Sequence, residues 1–402
     1  MLVANAFKKT LALLFSLLVV FSVESGVFEA AGKEFLPNDG VERIIDKYQL
    51  DGFLKELSET DMPNSRESRR RVFADTMEYC INNKDKFGIK LDKDNFLSEN
   101  SKAINYDYKK FIESTKNDKI ENEKPAKIWL TNGKSLQSLN AVNARLKIDP
   151  KDSKNVAVLN FANYYQPGGG VVQGCTAQEE CLCRMTTLYP LLATKSMMEQ
   201  FYNKHRLFRT FMSSHKNIND WVFNKKAIPR NINDWEKAGL FKEAIYTTGV
   251  KQIKDDYGIG RVGEYVDGST FNVITAAAPD FRYSELKKSD IPKYIENMKD
   301  LWRMILSVAY KNGDKHLVLG ALGCGAFEND PNLVAACFYD VINEEGPGGK
   351  KWAYCFENII MPIFVARKSD QKNYDAFKKF YDEKYKAVSN ELQEEIDLPS
   401  IL

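Results

Sequence analysis

At 402 residues the chain has room for one large domain or two ordinary ones. Hydrophobic residues make up 44% and aromatics 12%, a globular composition with enough apolar material for a sizeable core. Lys and Arg number 57 against 55 Asp and Glu, a balance that excludes a strongly basic nucleic-acid binder and singles out no partner by charge.

Residues 1–25 read as a targeting segment. Lys8-Lys9 precede an apolar run from Thr10 to Val23, shorter than the ~20 residues a bilayer span needs. Val23-Glu24-Ser25 offers a cleavage site after Ser25. The expectation is a signal peptide and an exported protein free of the membrane after cleavage; an uncleaved anchor is the alternative. Residues 26 to about 63 form a polar lead-in. A helix is predicted from Ser65, with Val72, Phe73, Met77, Cys80 and Ile81 at three- and four-residue spacing and Arg69, Arg70 and Arg71 in its first turns. The charged stretch 92–124 reads as a loop or surface helix.

The pattern then changes to alternating strands and helices. Residues 127–130 read as a short strand and 135–146 as a helix with Leu136, Leu139, Val142 and Leu146 on one face. Val156 to Phe161 is a continuous apolar run, typical of a buried strand. A Gly-rich loop follows, then a helix from about Ala177. Residues 273–278 read as a strand, 293–311 as a helix closed by Gly313, and 316–322 as a strand before a second Gly loop and a helix from Pro331. Residues 359–366 read as the last strand, which Pro362 assigns to an edge or a bulge. The alternation predicts an α/β fold. The chain divides into a signal peptide (1–25), a partly helical N-terminal extension (26–125), a catalytic domain (126–385) and a tail (386–402).

Several motifs carry no chemistry. Gly258, Gly260 and Gly263 spell a dinucleotide-type glycine pattern without the strand before it or the helix after it, so a turn is expected. Gly133-Lys134-Ser135 lacks the first glycine of a phosphate-binding P-loop, because Ile128 stands there. His205, His215 and His316 show no ligand spacing. The seven cysteines, at 80, 175, 181, 183, 324, 337 and 355, lie mostly in apolar runs and have no CxxC spacing, so neither a zinc site nor any other metal or cofactor is expected. Cys181 and Cys183 point apart on a helix. No Asn-x-Ser/Thr sequon is present.

Two loops carry the functional signal. After Asn160-Phe161-Ala162-Asn163 come Pro167-Gly168-Gly169-Gly170, whose backbone N–H groups can approach a ligand at a strand's carboxyl end. Gln178-Glu179-Glu180 then opens a helix. A plain turn with two glutamates favoured by the helix dipole is the structural alternative. The second loop runs through Gly323-Cys324-Gly325-Ala326-Phe327 to Asn329-Asp330-Pro331, where Asp330 can cap the helix that Pro331 starts. Two such loops could clamp a diphosphate. Thr275 to Asp280 ends its strand in Ala-Ala-Ala-Pro and is a weaker third segment.

These blocks, in this order, resemble the bacterial-type (microbial) poly(ADP-ribose) glycohydrolase family over about residues 65–385; the GGG-x7-QEE element is the specific part. The resemblance implies a macrodomain-like three-layer α/β/α sandwich with a mixed sheet and an N-terminal helical extension. It implies hydrolysis of ribose–ribose O-glycosidic bonds in poly(ADP-ribose) to release ADP-ribose. By the same resemblance Glu180 is the catalytic carboxyl, Glu179 contacts a ribose hydroxyl, and Asn163 binds ribose. Gly168, Gly169 and Gly170 meet the diphosphate and terminal ribose; Gly323, Cys324, Gly325 and Ala326 form the second diphosphate loop; Phe327 orients the terminal ribose. Asn160 and Gln178 join the substrate-binding set. Asp280 departs from a common Asn, Leu322 from a common Trp, and residues 206–268 match poorly.

Helix geometry adds a constraint. Glu179 and Glu180 lie about 100° apart around the axis, so they cannot flank a glycosidic bond as a two-carboxylate pair does. One carboxyl, Glu180, is expected to protonate the leaving ribose oxygen and then activate water, with proton uptake coupled to the arriving diphosphate. Removal of single ADP-ribose units from proteins, non-catalytic ADP-ribose binding and hydrolysis of another nucleotide sugar are the competing readings. The expected partners are poly(ADP-ribose) or ADP-ribosylated protein, with no DNA binding and a monomeric chain.

Overall fold

A computed structural model of the chain describes residues 65–92, 95–146, 155–205, 232–237, 239–255, 263–282 and 287–386. The expected signal peptide, the lead-in up to residue 64, His215, Gly258, Gly260 and the tail from 387 lie outside the described residues.

Helix α1 (Arg66–Asn82) starts at Ser65 through a reciprocal capping box with Ser68 and buries Val72, Phe73, Met77 and Cys80. Strands β1 (Lys90–Asp92) and β2 (Asn95–Leu97) form a small antiparallel ribbon. Strand β3 (Ser101–Asn105) and helix α2 (Tyr108–Thr115) follow, then β4 (Lys127–Thr131), α3 (Ser135–Leu146) and β5 (Val156–Phe161). Next come α4 (Gln178–Met185), α5 (Leu188–Leu192), α6 (Ile232–Lys237), β6 (Glu243–Lys251) and β7 (Thr270–Ala276). The described chain ends with α7 (Ile291–Lys311), β8 (His316–Val318), α8 (Pro331–Ile342), β9 (Asn358–Pro362) and α9 (Gln371–Tyr381).

Seven strands form one mixed sheet in the order β3-β6-β7-β5-β8-β9-β4. The five strands from β7 to β4 run parallel, whereas β6 is antiparallel to both β7 and β3. Alternation along β5 sends Ala157 and Leu159 into one core and Val156 and Val158 into the other. The first core is closed by α7, α8 and α9, the second by α1, α4 and α5, which gives the three layers. On α7, Leu301, Trp302, Ile305 and Leu306 are fully buried, each contributing about 1.5–3 kcal/mol by removal from water.

The structure differs from the sequence reading in the sheet's margins. Residues 92–124 contain strand β3, so the central sheet draws on the segment before residue 126. Its polar sequence suits an edge, and Ser101 Oγ meets Thr247 Oγ1 at 2.9 Å across the pair. Strand β6 is absent from the sequence reading because a register shift between Thr247 and Val250 breaks its alternation. Residues 264–266, directly after the dinucleotide-type glycine pattern, join no strand. Strand β9 is interior, between β8 and β4, and not an edge. Pro362 is its last residue, beyond the final β8 pair at Ile360, so its missing N–H breaks no bond of that ladder. Strand β8 is shorter than expected: after the Leu319 N–H bonds Ile360 O, the chain turns away at Gly320.

Candidate active site

The carboxyl ends of the five parallel strands open onto one cleft of about 800 Å³. In α/β sheets this edge is where ligands bind, because strand-to-helix loops can turn backbone N–H groups outward. The loops after β5 and β8 supply Asn163, Gly169, Gly170, Glu179, Glu180, Gly323, Gly325, Ala326 and Phe327 to its wall. The two loops read from sequence therefore face one space.

Helix α4 begins at Ala177 without a side-chain cap, and its first turn carries Glu179 and Glu180. The two carboxyls have different environments. Glu179 is 2% exposed and accepts three hydrogen bonds: from Asn160 Nδ2 (3.3 Å) and Gly168 N (3.2 Å) on Oε1, and from Asn163 N (2.7 Å) on Oε2. Burial first, and the neighbouring Glu180 second, push its carboxyl well above the usual carboxylate range despite those donors. Glu180 is 7% exposed and accepts the Gly170 N–H on Oε1 at 2.7 Å. Its Oε2 has no hydrogen-bond partner among the described residues. A buried carboxyl oxygen without a partner, on a cleft wall, is the place where a substrate atom can be met.

The glycines are required by these contacts. Gly169 has φ 54°, and a Cβ there would lie 2.5 Å from Glu180 Oε1 and 3.0 Å from Glu179 Oε2. Both carboxyls thus converge under the loop, leaving no room for any side chain. In the second loop Gly323 has φ 74°, and its Cβ would meet Ala278 and Asn329 at 2.6 Å.

Four predicted substrate contacts have other duties. Asn160 is fully buried and does not line the cleft; its amide holds Glu179 and Thr275 Oγ1 from behind. Gln178 lines the cleft, yet its amide accepts Phe161 N and donates to Leu159 O and Ser135 Oγ, pinning α4 to the end of β5. Cys324 lies behind its loop, buried, with its thiol pushed up by that burial. Gly168 likewise spends its N–H on Glu179 and sits behind Gly169. Asn163 lines the cleft while its Oδ1 accepts the Tyr165 N–H in a tight local turn.

Sequence reasoning missed several supports. Asn329 donates to Pro279 O (2.7 Å) and Gly323 O (3.1 Å) and accepts from Tyr294 OH (2.8 Å), tying the β7 end, the second loop and α7 together. Arg282 pairs with Asp280 and lies 5.2 Å over the Phe327 ring. The Gly133-Lys134-Ser135 turn, rejected as a P-loop, lines the other end of the cleft with the half-exposed Phe364. A polar residue directly after a Gly loop was the signal available for Asn329; nothing local marked the others. His205 faces Glu243 at 3.1 Å, and His316 meets Asn358 at 3.0 Å. Among the described residues no group of three or more His, Cys, Asp or Glu side chains could hold a metal ion.

Residues 70–219 match the family model of the microbial-type PARG catalytic domain. That span holds α1 from Arg70 onward and the first loop; the second loop lies beyond it. No curated protein matches the chain. Among solved structures, the poly(ADP-ribose) glycohydrolase of Thermomonospora curvata is similar at 22% identity and a TM-score of 0.55, covering 78% of this chain and 99% of that one. The T. curvata enzyme bound to the inhibitor ADP-HPD is similar at 21% and 0.52, with the same coverage. The Deinococcus radiodurans enzyme in complex with ADP-ribose is similar at 23% and 0.50, covering 70% and 94%. At these identities the likeness speaks for the fold, a macrodomain-like sheet between helices. The matched segment, residues 70–219, is fewer than half of the chain; it is similar to that catalytic domain, and the described residues share the fold of those structures.

Proposed function

We propose that the chain hydrolyses ribose–ribose O-glycosidic bonds of poly(ADP-ribose) and releases ADP-ribose. The observation that carries this is the split between the two glutamates: Glu179 has three hydrogen bonds, whereas Glu180 keeps one oxygen without a partner on the cleft wall. Protonated Glu180 gives its proton to the leaving ribose oxygen as the glycosidic bond breaks. Positive charge develops on the remaining ribose, near the substrate's own diphosphate against the second glycine loop; the N–H groups of Gly168, Gly169 and Gly170 are given to Glu179, Gln166 O and Glu180. Glu180, now ionised, takes a proton from water as that water adds to the ribose, which restores the acid. The Gly170 N–H keeps the carboxyl in place through both steps. The similar structures named as poly(ADP-ribose) glycohydrolases, with ADP-ribose or ADP-HPD bound, support this substrate class.

The test is incubation of the purified chain with poly(ADP-ribose) and, separately, with mono-ADP-ribosylated protein. Free ADP-ribose from the polymer is expected; binding without release would overturn the reading. The proposal extends to export by cleavage after Ser25 and to a monomer. N-terminal sequencing of protein recovered outside the cell, and sedimentation, check these two points.

A further inference from the structure

The cleft follows the strand order, and its cationic lining side chains lie at opposite ends. Lys134 follows β4, and Arg282 follows β7. These strands are four intervals apart, about 19 Å at the usual strand spacing. The Lys134 end is apolar and aromatic, with Leu136, Pro362, Ile363 and Phe364, and suits a flat base. Glu180 belongs to the helix that follows β5, between those ends, and the scissile bond must lie beside it. A unit whose base takes the Phe364 end therefore reaches Glu180 with its ribose, and Arg282 lies on the far side of the broken bond.

Arg282 is held in place. Its Nε and Nη2 donate to the two oxygens of Asp280 at 2.9 and 2.5 Å, and the Asp280 side chain is 2% exposed. The guanidinium covers Phe327, and the Phe281 N–H bonds Phe327 O at 2.8 Å, which ties the β7 and β8 loops into one wall. A planar guanidinium can serve a carboxylate and a second anion at once. Poly(ADP-ribose) continues beyond the scissile bond with another diphosphate, and a single ADP-ribose on a protein side chain does not. We infer that Arg282, held by Asp280 over Phe327, binds the anionic unit on the leaving side of the bond and makes the site select polymer. This rests on the proposed glycohydrolase reading.

The experiment compares the full chain with Arg282→Gln and Arg282→Lys. It measures kcat and KM on poly(ADP-ribose), kcat/KM on mono-ADP-ribosylated protein, and Kd for ADP-ribose by calorimetry. Arg282→Gln is expected to raise the polymer KM about tenfold, as loss of one charge-assisted contact does, and to flatten its salt dependence. ADP-ribose Kd should hold within about twofold, and Arg282→Lys should recover part of the KM. An unchanged polymer KM, or a Kd weakened as much as the KM, would overturn the inference and leave the reading standing. A wild-type chain that releases nothing from polymer removes the reading, and the inference with it. ADP-ribose binding by calorimetry reports that each variant is folded.

Discussion

The two loops that face each other across the cleft are held by opposite means. In the first, residues 163–170 are tied down by the carboxyls of Glu179 and Glu180, which accept the N–H groups of Asn163, Gly168 and Gly170. In the second, residues 323–327 are tied down by Asn329, whose amide and Tyr294 partner stay outside the cleft lining. In the proposed reaction the acids of the first loop are therefore both machinery and scaffold, while in the second loop the scaffold can be cut without replacing a lining residue. The first loop should also feel pH through Glu179, whose carboxyl is pushed up by burial; the second is anchored by a neutral amide and a hydroxyl bond.

The largest effect expected is on chemistry at the first loop. Glu180→Gln keeps the acceptor for Gly170 N–H and removes the proton, so kcat on polymer should fall by about 10³-fold, with ADP-ribose affinity nearly kept. A variant that still turned over at the wild-type rate would break the assignment of Glu180. Gly169→Ala places a Cβ 2.5 Å from Glu180 Oε1 at a left-handed φ; a loss of about 10²-fold in kcat is expected, with some loss of melting temperature from strain. Retained activity with an unmoved Glu180 in a crystal structure would argue against convergence of the carboxyls under this loop.

At the second loop, Asn329→Ala removes a buried amide and leaves the Tyr294 hydroxyl and two carbonyls without it. Denaturant unfolding should show a loss of about 2 kcal/mol, and KM should rise more than kcat falls. An equal fall in kcat would mean that the two loops are not separable.

The smallest effect is pH dependence. Burial raises Glu179 in the folded state above its unfolded value, so the folded chain holds the proton more tightly. Stability from this group is therefore complete at low pH and lost as pH rises through its folded value. Asp314, pushed up to about 6 by burial against the bonds from Asn272 and Tyr246, has the same sign, and its loss is complete soon above that value. Melting curves taken as pH rises from the ordinary carboxylate range should therefore fall more steeply in the wild type and Asn329→Ala than in Glu179→Gln. Parallel slopes in all three would remove the distinction between the loops.

Much of the site was legible because it is local. Gly168 to Glu180 spans one loop and one helical turn, so composition and spacing alone place a flexible backbone beside two acids. Asp330 and Pro331 mark the start of α8 by capping chemistry, and Asp330 accepts from the Asn332 and Leu333 N–H groups as expected. The β6 strand and the β3 edge were not legible, since one has an irregular register and the other a polar edge sequence. The division of labour among Asn160, Gln178 and Cys324 was not legible either. A polar residue near a loop reads the same whether it faces ligand or holds a neighbour.

By itself, then, the sequence determined what a few consecutive residues can decide: the glycine runs, the adjacent carboxyls that cannot flank a bond, the helix caps and the apolar strands. Only the tertiary structure decided which acid is occupied and which is open, that Pro362 closes an interior strand, and that Arg282 and Phe327 share one wall. Those outcomes depend on strands far apart in the chain lying side by side, where burial and hydrogen-bond supply are set by neighbours that no local spacing encodes.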